Sequence, residues 1–87
     1  DFVLISGFPN PSNGYLFIQF HLKDNMNLSF NVFDITGKKI YEEQKSFIKC
    51  DIQYHSFDFT HLNSGQYLLE ISNSKGERLS VKQFIIQ

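Results

Sequence analysis

The sequence predicts an all-β fold, a seven-stranded antiparallel sandwich that is immunoglobulin-like in general shape. Two observations carry this reading. Short runs rich in Phe, Ile, Val, Leu and Tyr alternate with clusters of Gly, Asn, Asp and Ser, and such runs with turns about every eight to twelve residues are the pattern of a sandwich. Helical periodicity is nearly absent along the whole chain. A barrel is the runner-up architecture.

The elements follow in order. The first strand covers residues 2–6. The stretch PNPSNG at 9–14 comes next. Pro9 and Pro11 fix φ and remove two backbone donors, and each pushes its predecessor towards extended geometry. Asn13-Gly14 is a tight-turn pair, because both residues tolerate positive φ. The second strand, 15–22, puts Leu16, Ile18, Phe20 and Leu22 on one face and Tyr15, Phe17, Gln19 and His21 on the other. Residues 23–27 form a mostly polar break. The third strand, 28–34, turns Leu28, Phe30 and Val32 inward. Asp34-Ile35-Thr36-Gly37 reads as a type I turn closed by a left-handed Gly37, with Asp34 accepting from turn amides.

The fourth strand is 38–44 with Ile40 inward, and 45–49 is a looser connection. The fifth strand, 51–59, brings Phe57 and Phe59 to the core. Residues 60–65 turn and drop Leu62 back on the core. The sixth strand, 66–72, aligns Tyr67, Leu69 and Ile71. Residues 73–76 close a hairpin, and the seventh strand, 77–86, turns Leu79 and Val81 inward. Three apolar residues in succession, Phe84, Ile85 and Ile86, then break the alternation. Either both faces of this terminus are apolar or a bulge shifts its register. An apolar strand at a sheet edge is a liability, and cover by the first strand would remove it.

The totals exclude several functions. Eighty-seven residues make one domain. It divides into 1–7, the first strand and the end of an upstream linker, and 8–87, the main sandwich. Ten Phe and four Tyr supply the core, and Trp is absent. A formal net charge of −1 argues against a basic field for nucleic acid. Cys50 is the only cysteine, so no internal disulfide forms. It reads as a buried or half-buried small hydrophobe rather than a reactive thiol. No run approaches the ~20 apolar residues of a membrane-spanning helix. The chain opens at Asp1 with no initiator Met and no signal peptide, which reads as a piece of a longer precursor.

Catalytic patterns are weak. His21, His55 and His61 form no close ligand pair. Cys50 and His55 lie five apart on one strand, hence on opposite faces, which disfavours a Cys-His nucleophile. Asp34, Asp51 and Asp58 serve turns and strand ends. No Gly-rich phosphate loop opens a helix. The sequence therefore reads as non-enzymatic, with no metal or cofactor.

Three stretches in order, FPNPSNG at 8–14, VFDITGKKI at 32–40 and FDFTHLNSGQYLLEI at 57–71, resemble the type A C-terminal sorting domain of the type IX secretion system. Pro9, Asn10, Pro11 and Gly14 match the family's first element. Asp34, Gly37 and Lys38 match the second. Asp58, Leu62, Gly65, Tyr67 and Ile71 match the third, with Phe59 where the family usually has Leu. The resemblance covers about residues 8 to 87.

It implies a seven-stranded immunoglobulin-like sandwich at the end of a secreted cargo protein. It further implies passage through the periplasm of a Gram-negative bacterium, recognition by an outer-membrane translocon, and cleavage by a cell-surface sortase near the upstream linker. The cargo then reaches the cell surface or the medium. Phe84, Ile85 and Ile86 are the candidate translocon-recognition residues, read by β-augmentation on a sheet edge, and an edge-paired dimer is an accompanying alternative. The rival reading is an accessory sandwich, adhesive or carbohydrate-binding, kept on the mature protein. Tyr15, Phe17 and Tyr41 are its candidate aromatic platform, although packing within the sheets is favoured for them.

Overall fold

The computed structural model describes residues 2–7 and 13–87. The expectations for Pro9, Asn10 and Pro11 lie outside the described residues. Seven strands run in order: β1 (Phe2–Ser6), β2 (Tyr15–Leu22), β3 (Met26–Asp34), β4 (Lys39–Phe47), β5 (Cys50–Asp58), β6 (Gly65–Asn73) and β7 (Arg78–Ile86). They form a three-stranded sheet, β1-β2-β5, and a four-stranded sheet, β4-β3-β6-β7, with every pair antiparallel. The chain is all-β, as its alternation predicts.

Period-two patterning decides which face is buried. Leu16, Ile18, Phe20 and Leu22 of β2 point inward and are at most 2% exposed. Leu28, Phe30 and Val32 of β3, Leu69 and Ile71 of β6, and Phe57 and Phe59 meet them in one core. Aromatic rings knit the two sheets together. Phe20 of β2 meets Phe47 of β4 edge-on at 5.3 Å, Phe30 of β3 meets Phe57 of β5 at 5.4 Å, and Phe59 stacks on Phe84 of β7 at 5.9 Å.

The sequence reading needs four corrections. The third strand begins at Met26, inside the polar break expected there. The fourth strand continues to Phe47, which is buried at 6% exposure, where a loose connection was expected. In β7, Ile71 faces Ser80 while Ser72 faces Arg78, so Leu79 is an extra residue. The bulge re-phases the strand: Leu79 still packs on the core, but Val81 lies opposite Glu70 on the outer face and is 38% exposed. Cys50 is exposed, because it opens β5 beside a register shift.

Bulges follow a rule in this fold. Extra residues occur in β1 at Ile5, in β4 at Ile40, in β7 at Leu79 and in β5 between Cys50 and Gln53. These are the four strands that end the sheets. The pairing of β3 with β6, both internal, runs without a shift. The terminal strands of the larger sheet also turn a lysine to the core side, Lys45 opposite Leu28 and Lys82 opposite Leu69. Bulges and inward-pointing charges are the devices by which sheet edges resist further pairing.

Gly14 shows how the second strand is seated. Its φ is +111°, and a Cβ built there would stand 2.7 Å from the Thr60 Cα. Its carbonyl accepts from the Phe59 amide at 2.8 Å. Two backbones thus approach more closely than any side chain permits. Gly76 also has positive φ (+80°), but open space surrounds it. Gly76→Ala should therefore lose only the backbone term, about 1–2 kcal/mol. Gly14→Ala should lose that and more, since backbone must move as well. Urea unfolding of both variants checks this, and equal losses would contradict the close approach.

Candidate functional site

The sequence motifs build turns. Asp34 Oδ1 accepts from the Thr36 hydroxyl at 2.6 Å, the Thr36 amide at 2.9 Å and the Lys38 amide at 3.0 Å. These bonds, the Thr36 hydroxyl first, hold its carboxyl below the usual aspartate range. Gly37 donates to the Asp34 carbonyl at 3.0 Å, and its φ is +88°. Asp58 repeats the device on Thr60, accepting from its hydroxyl at 2.6 Å and its amide at 3.1 Å, and is likewise held low. Neither aspartate is placed for proton transfer, since both are spent on the loop that carries them.

Leu62, Gly65 and Tyr67 form one corner. Leu62 donates its amide to the Phe59 carbonyl at 2.9 Å and packs on the core. Gly65, with φ +156°, starts β6. Two residues on, the Tyr67 hydroxyl donates to the Asn63 carbonyl at 2.6 Å. A tyrosine near a strand start that bonds back to backbone a few residues upstream is the tyrosine corner of immunoglobulin-like sandwiches. Its ring stacks on Phe84 at 5.6 Å. Ile71 is a core residue at 1% exposure.

With these motif residues in place, the chain can be set beside known families. A family model described as "Secretion system C-terminal sorting domain" matches residues 6–87. The chain belongs to this family. The match spans nearly the whole sequence and includes all three motif stretches. The search of curated proteins found no match. A domain of this family is a C-terminal sorting signal for type IX secretion, so it interacts with that machinery and marks a protein that crosses the outer membrane.

In this sorting domain the terminal apolar triplet divides between two environments. Phe84 is 0% exposed and Ile86 3%, both on the core side, opposite Tyr67 and Gly65. Ile85 lies between them on the outer side, opposite Gln66, and is 36% exposed. β7 ends the four-stranded sheet and does not pair with β1, which pairs with β2 in the other sheet. The expected cover by the first strand is therefore not the arrangement found.

The outer faces of the two sheets differ. The four-stranded face carries a polar lattice, in which Ser46 donates to Asn27, Gln83 to Gln66, and Arg78 to Glu70, around the partly exposed Leu68 (39%), Val81 (38%) and Ile85 (36%). The three-stranded face exposes Val3 (54%), Ile5 (49%), Phe17 (42%), Ile52 (48%), Tyr54 (59%) and Tyr15 (61%). The sequence favours packing within the sheets for Tyr15 and Phe17, and both instead lie on this outer face with much of the ring exposed. Tyr41 does pack, edge-on to Phe59 at 4.9 Å.

Sequence reasoning missed one polar link inside the sandwich. Glu43 of β4 lies opposite Phe30, on the core side. Its Oε1 accepts from the Tyr41 hydroxyl at 2.7 Å and from His55 Nε2 of β5 at 3.0 Å. His55 is 8% exposed and stacks on Phe30 at 4.7 Å. The three groups join the two sheets; His55 and Tyr41 pack against rings, while the Glu43 side chain stays 32% exposed. Burial raises the Glu43 pKa, but the bonds from Tyr41 and His55 and the fields of His55 and Lys45 outweigh it, and the net direction is down. Burial, then the Glu43 hydrogen bond, pushes Tyr41 up to about 12. Among the described residues no group of three or more His, Cys, Asp or Glu is arranged to hold a metal ion.

The pH dependence follows from these directions. Glu43 is depressed, so its contribution is present above the ordinary value of 4.5 and is lost as pH falls through its lower folded pKa. Tyr41 is raised, so its contribution is complete below pH 10 and is lost between pH 10 and about 12. Stability measured against pH should fall on both limbs. Glu43→Gln should shrink both limbs, leaving the part of the acid limb that belongs to Asp34 and Asp58. Unchanged limbs in that variant would show that the link is not made.

Proposed function

We propose that the chain is a non-catalytic address, read in its folded form by the outer-membrane translocon and then cleaved from its cargo by a cell-surface sortase. The observation that carries this reading is the family match over residues 6–87. In the proposed route the fused cargo crosses the periplasm of a Gram-negative bacterium and ends at the surface or in the medium. The motif residues hold the sandwich in shape, and recognition falls to the surface that this shape presents. At the terminus, Phe84 and Ile86 seat β7 on the core, while the Ile85 side chain lies on the outer face and is 36% exposed. Backbone ladders supply affinity in strand addition and outward side chains supply selectivity, so Ile85 is the side chain to test.

A second reading, a retained adhesive or carbohydrate-binding module, is favoured by the exposed rings of Tyr15, Phe17 and Tyr54. The two differ in the fate of the domain. A sorting address is absent from the mature product, and an accessory module is present in it.

The experiment places residues 1–87 behind a periplasmic reporter in a bacterium with this secretion system. Surface delivery with loss of the domain is expected. A reporter retained in the periplasm on a folded domain would overturn the proposal. Within that fusion, Phe84→Ala should cost about 3–5 kcal/mol through the cavity it leaves and reduce export by unfolding. Ile85→Lys should melt near the parent temperature and still export poorly. Normal export of Ile85→Lys would remove the terminal strand from the address.

A further inference from the structure

We infer that the outer face of β1, β2 and β5 is a self-association surface that takes a second copy of this chain, face to face. The inference is independent of the sorting reading and rests on where the fold spends its protection. Every strand that ends a sheet carries a bulge, and the two ends of the larger sheet add inward lysines, Lys45 and Lys82. These features hinder edge-to-edge pairing. The open face of the smaller sheet has no comparable guard. Val3, Ile5, Phe17, Ile52 and Tyr54 are each more than 40% exposed on it.

Charge selects the occupant. β1, β2 and β5 contain no Lys or Arg, and their only carboxylates are Asp51 and Asp58, near the two ends of β5. A basic or acidic partner finds little to pair with on such a face, whereas an identical, nearly uncharged face meets it without like-charge conflict. A twofold axis along the strand direction lays β5 of one copy over β1 of the other. Tyr54 then lies over Ile5 and Ser6, Ile52 lies over Val3, and the aspartates stay apart. This is a closed, isologous contact.

Area sets the strength. β1, β2 and β5 are 5, 8 and 9 residues long, and at about 3.4 Å per residue and about 4.8 Å per strand they cover roughly 360 Å². Two such faces together amount to roughly 700 Å² before pleating is counted, below the about 1,000 Å² of a stable specific interface. The dimer is therefore weak and concentration-dependent.

Sedimentation velocity of the 87-residue chain over a concentration series up to about 1 mM tests this. Twice the monomer mass should appear near the top of the series. Phe17→Ser combined with Tyr54→Ser changes only exposed side chains, and should weaken association at least tenfold at an unchanged melting temperature. Ile85→Lys, on the other sheet, should leave association unchanged. Amide NMR shifts of the unmodified chain on dilution should concentrate on β1, β2 and β5, which keeps the test alive if the double variant misfolds. A chain that stays monomeric at the highest concentration would overturn the inference. So would association abolished by Ile85→Lys but not by the face variant, which would assign it to a sheet edge. Monomers that instead bind detergent micelles through these residues would assign the face to a lipid surface and overturn it as well.

Discussion

The fold depends on a column of aromatic rings that runs between the sheets. Phe2 meets Phe20, Phe20 meets Phe47, and Phe47 meets Phe30. From Phe30 the contacts pass to His55 and Phe57, then to Phe59, Phe84 and Tyr67. The Phe20–Phe47, Phe30–His55, Phe30–Phe57 and Phe59–Phe84 contacts cross between the sheets and bind one layer to the other, and the remaining contacts join rings within a sheet. A chain of this size without a disulfide has little else to do this with. Trp is absent and Cys50 stands alone. The Trp-on-disulfide centre found in antibody sandwiches is replaced here by stacked and edge-on rings. Such pairs add about 0.5–1.5 kcal/mol each beyond the area they bury.

The motif residues serve that column. Tyr67 ends it, and its hydroxyl pins the turn that follows Phe59. Asp58 and Gly14 meet on the same turn, one through the Thr60 amide and hydroxyl, the other through the Phe59 amide. Two of the motif stretches, 8–14 and 57–71, thus converge to fix where Phe59 enters the core. Asp34 shapes the hairpin between β3 and β4, which sets Tyr41 against Phe57 and Phe59. A sequence signature of this kind describes a frame. In the proposed reading, the surface on that frame carries recognition.

The frame was largely legible in the sequence, and the reasons are local. β2 alternates strictly, so its faces were read residue by residue. Turn residues marked the hairpins at Asp34 and Asn73 because their side chains cap amides two residues on. What escaped depended on distant partners or on insertions. Lys45 lies on the core side with its ammonium 5.5 Å from the Phe47 ring, so its charge hid the continuation of β4. Ile48, 76% exposed, added to the misreading. The bulge at Leu79 shifts Val81 outward, and no spacing rule announces an extra residue. Glu43 and His55 gave no signal because their contact spans two sheets. The open face was half visible: Val3 and Ile5, or Ile52 and Tyr54, are apolar on the side of each strand that alternation assigns to water.

The central claim is that the motif builds a frame and does not itself carry the address. Tyr67→Phe tests it most directly, because it removes one hydroxyl and leaves the ring on Phe84. Thermal unfolding and surface delivery of a fused reporter would be measured on the same variant. The account predicts a loss of about 0.5–1.5 kcal/mol from the missing bond, the exposed Asn63 carbonyl passing to water, with delivery falling only as the folded fraction falls and recovering at lower temperature. Delivery abolished in a domain that melts like the parent would contradict it, for the tyrosine hydroxyl would then be part of the address itself.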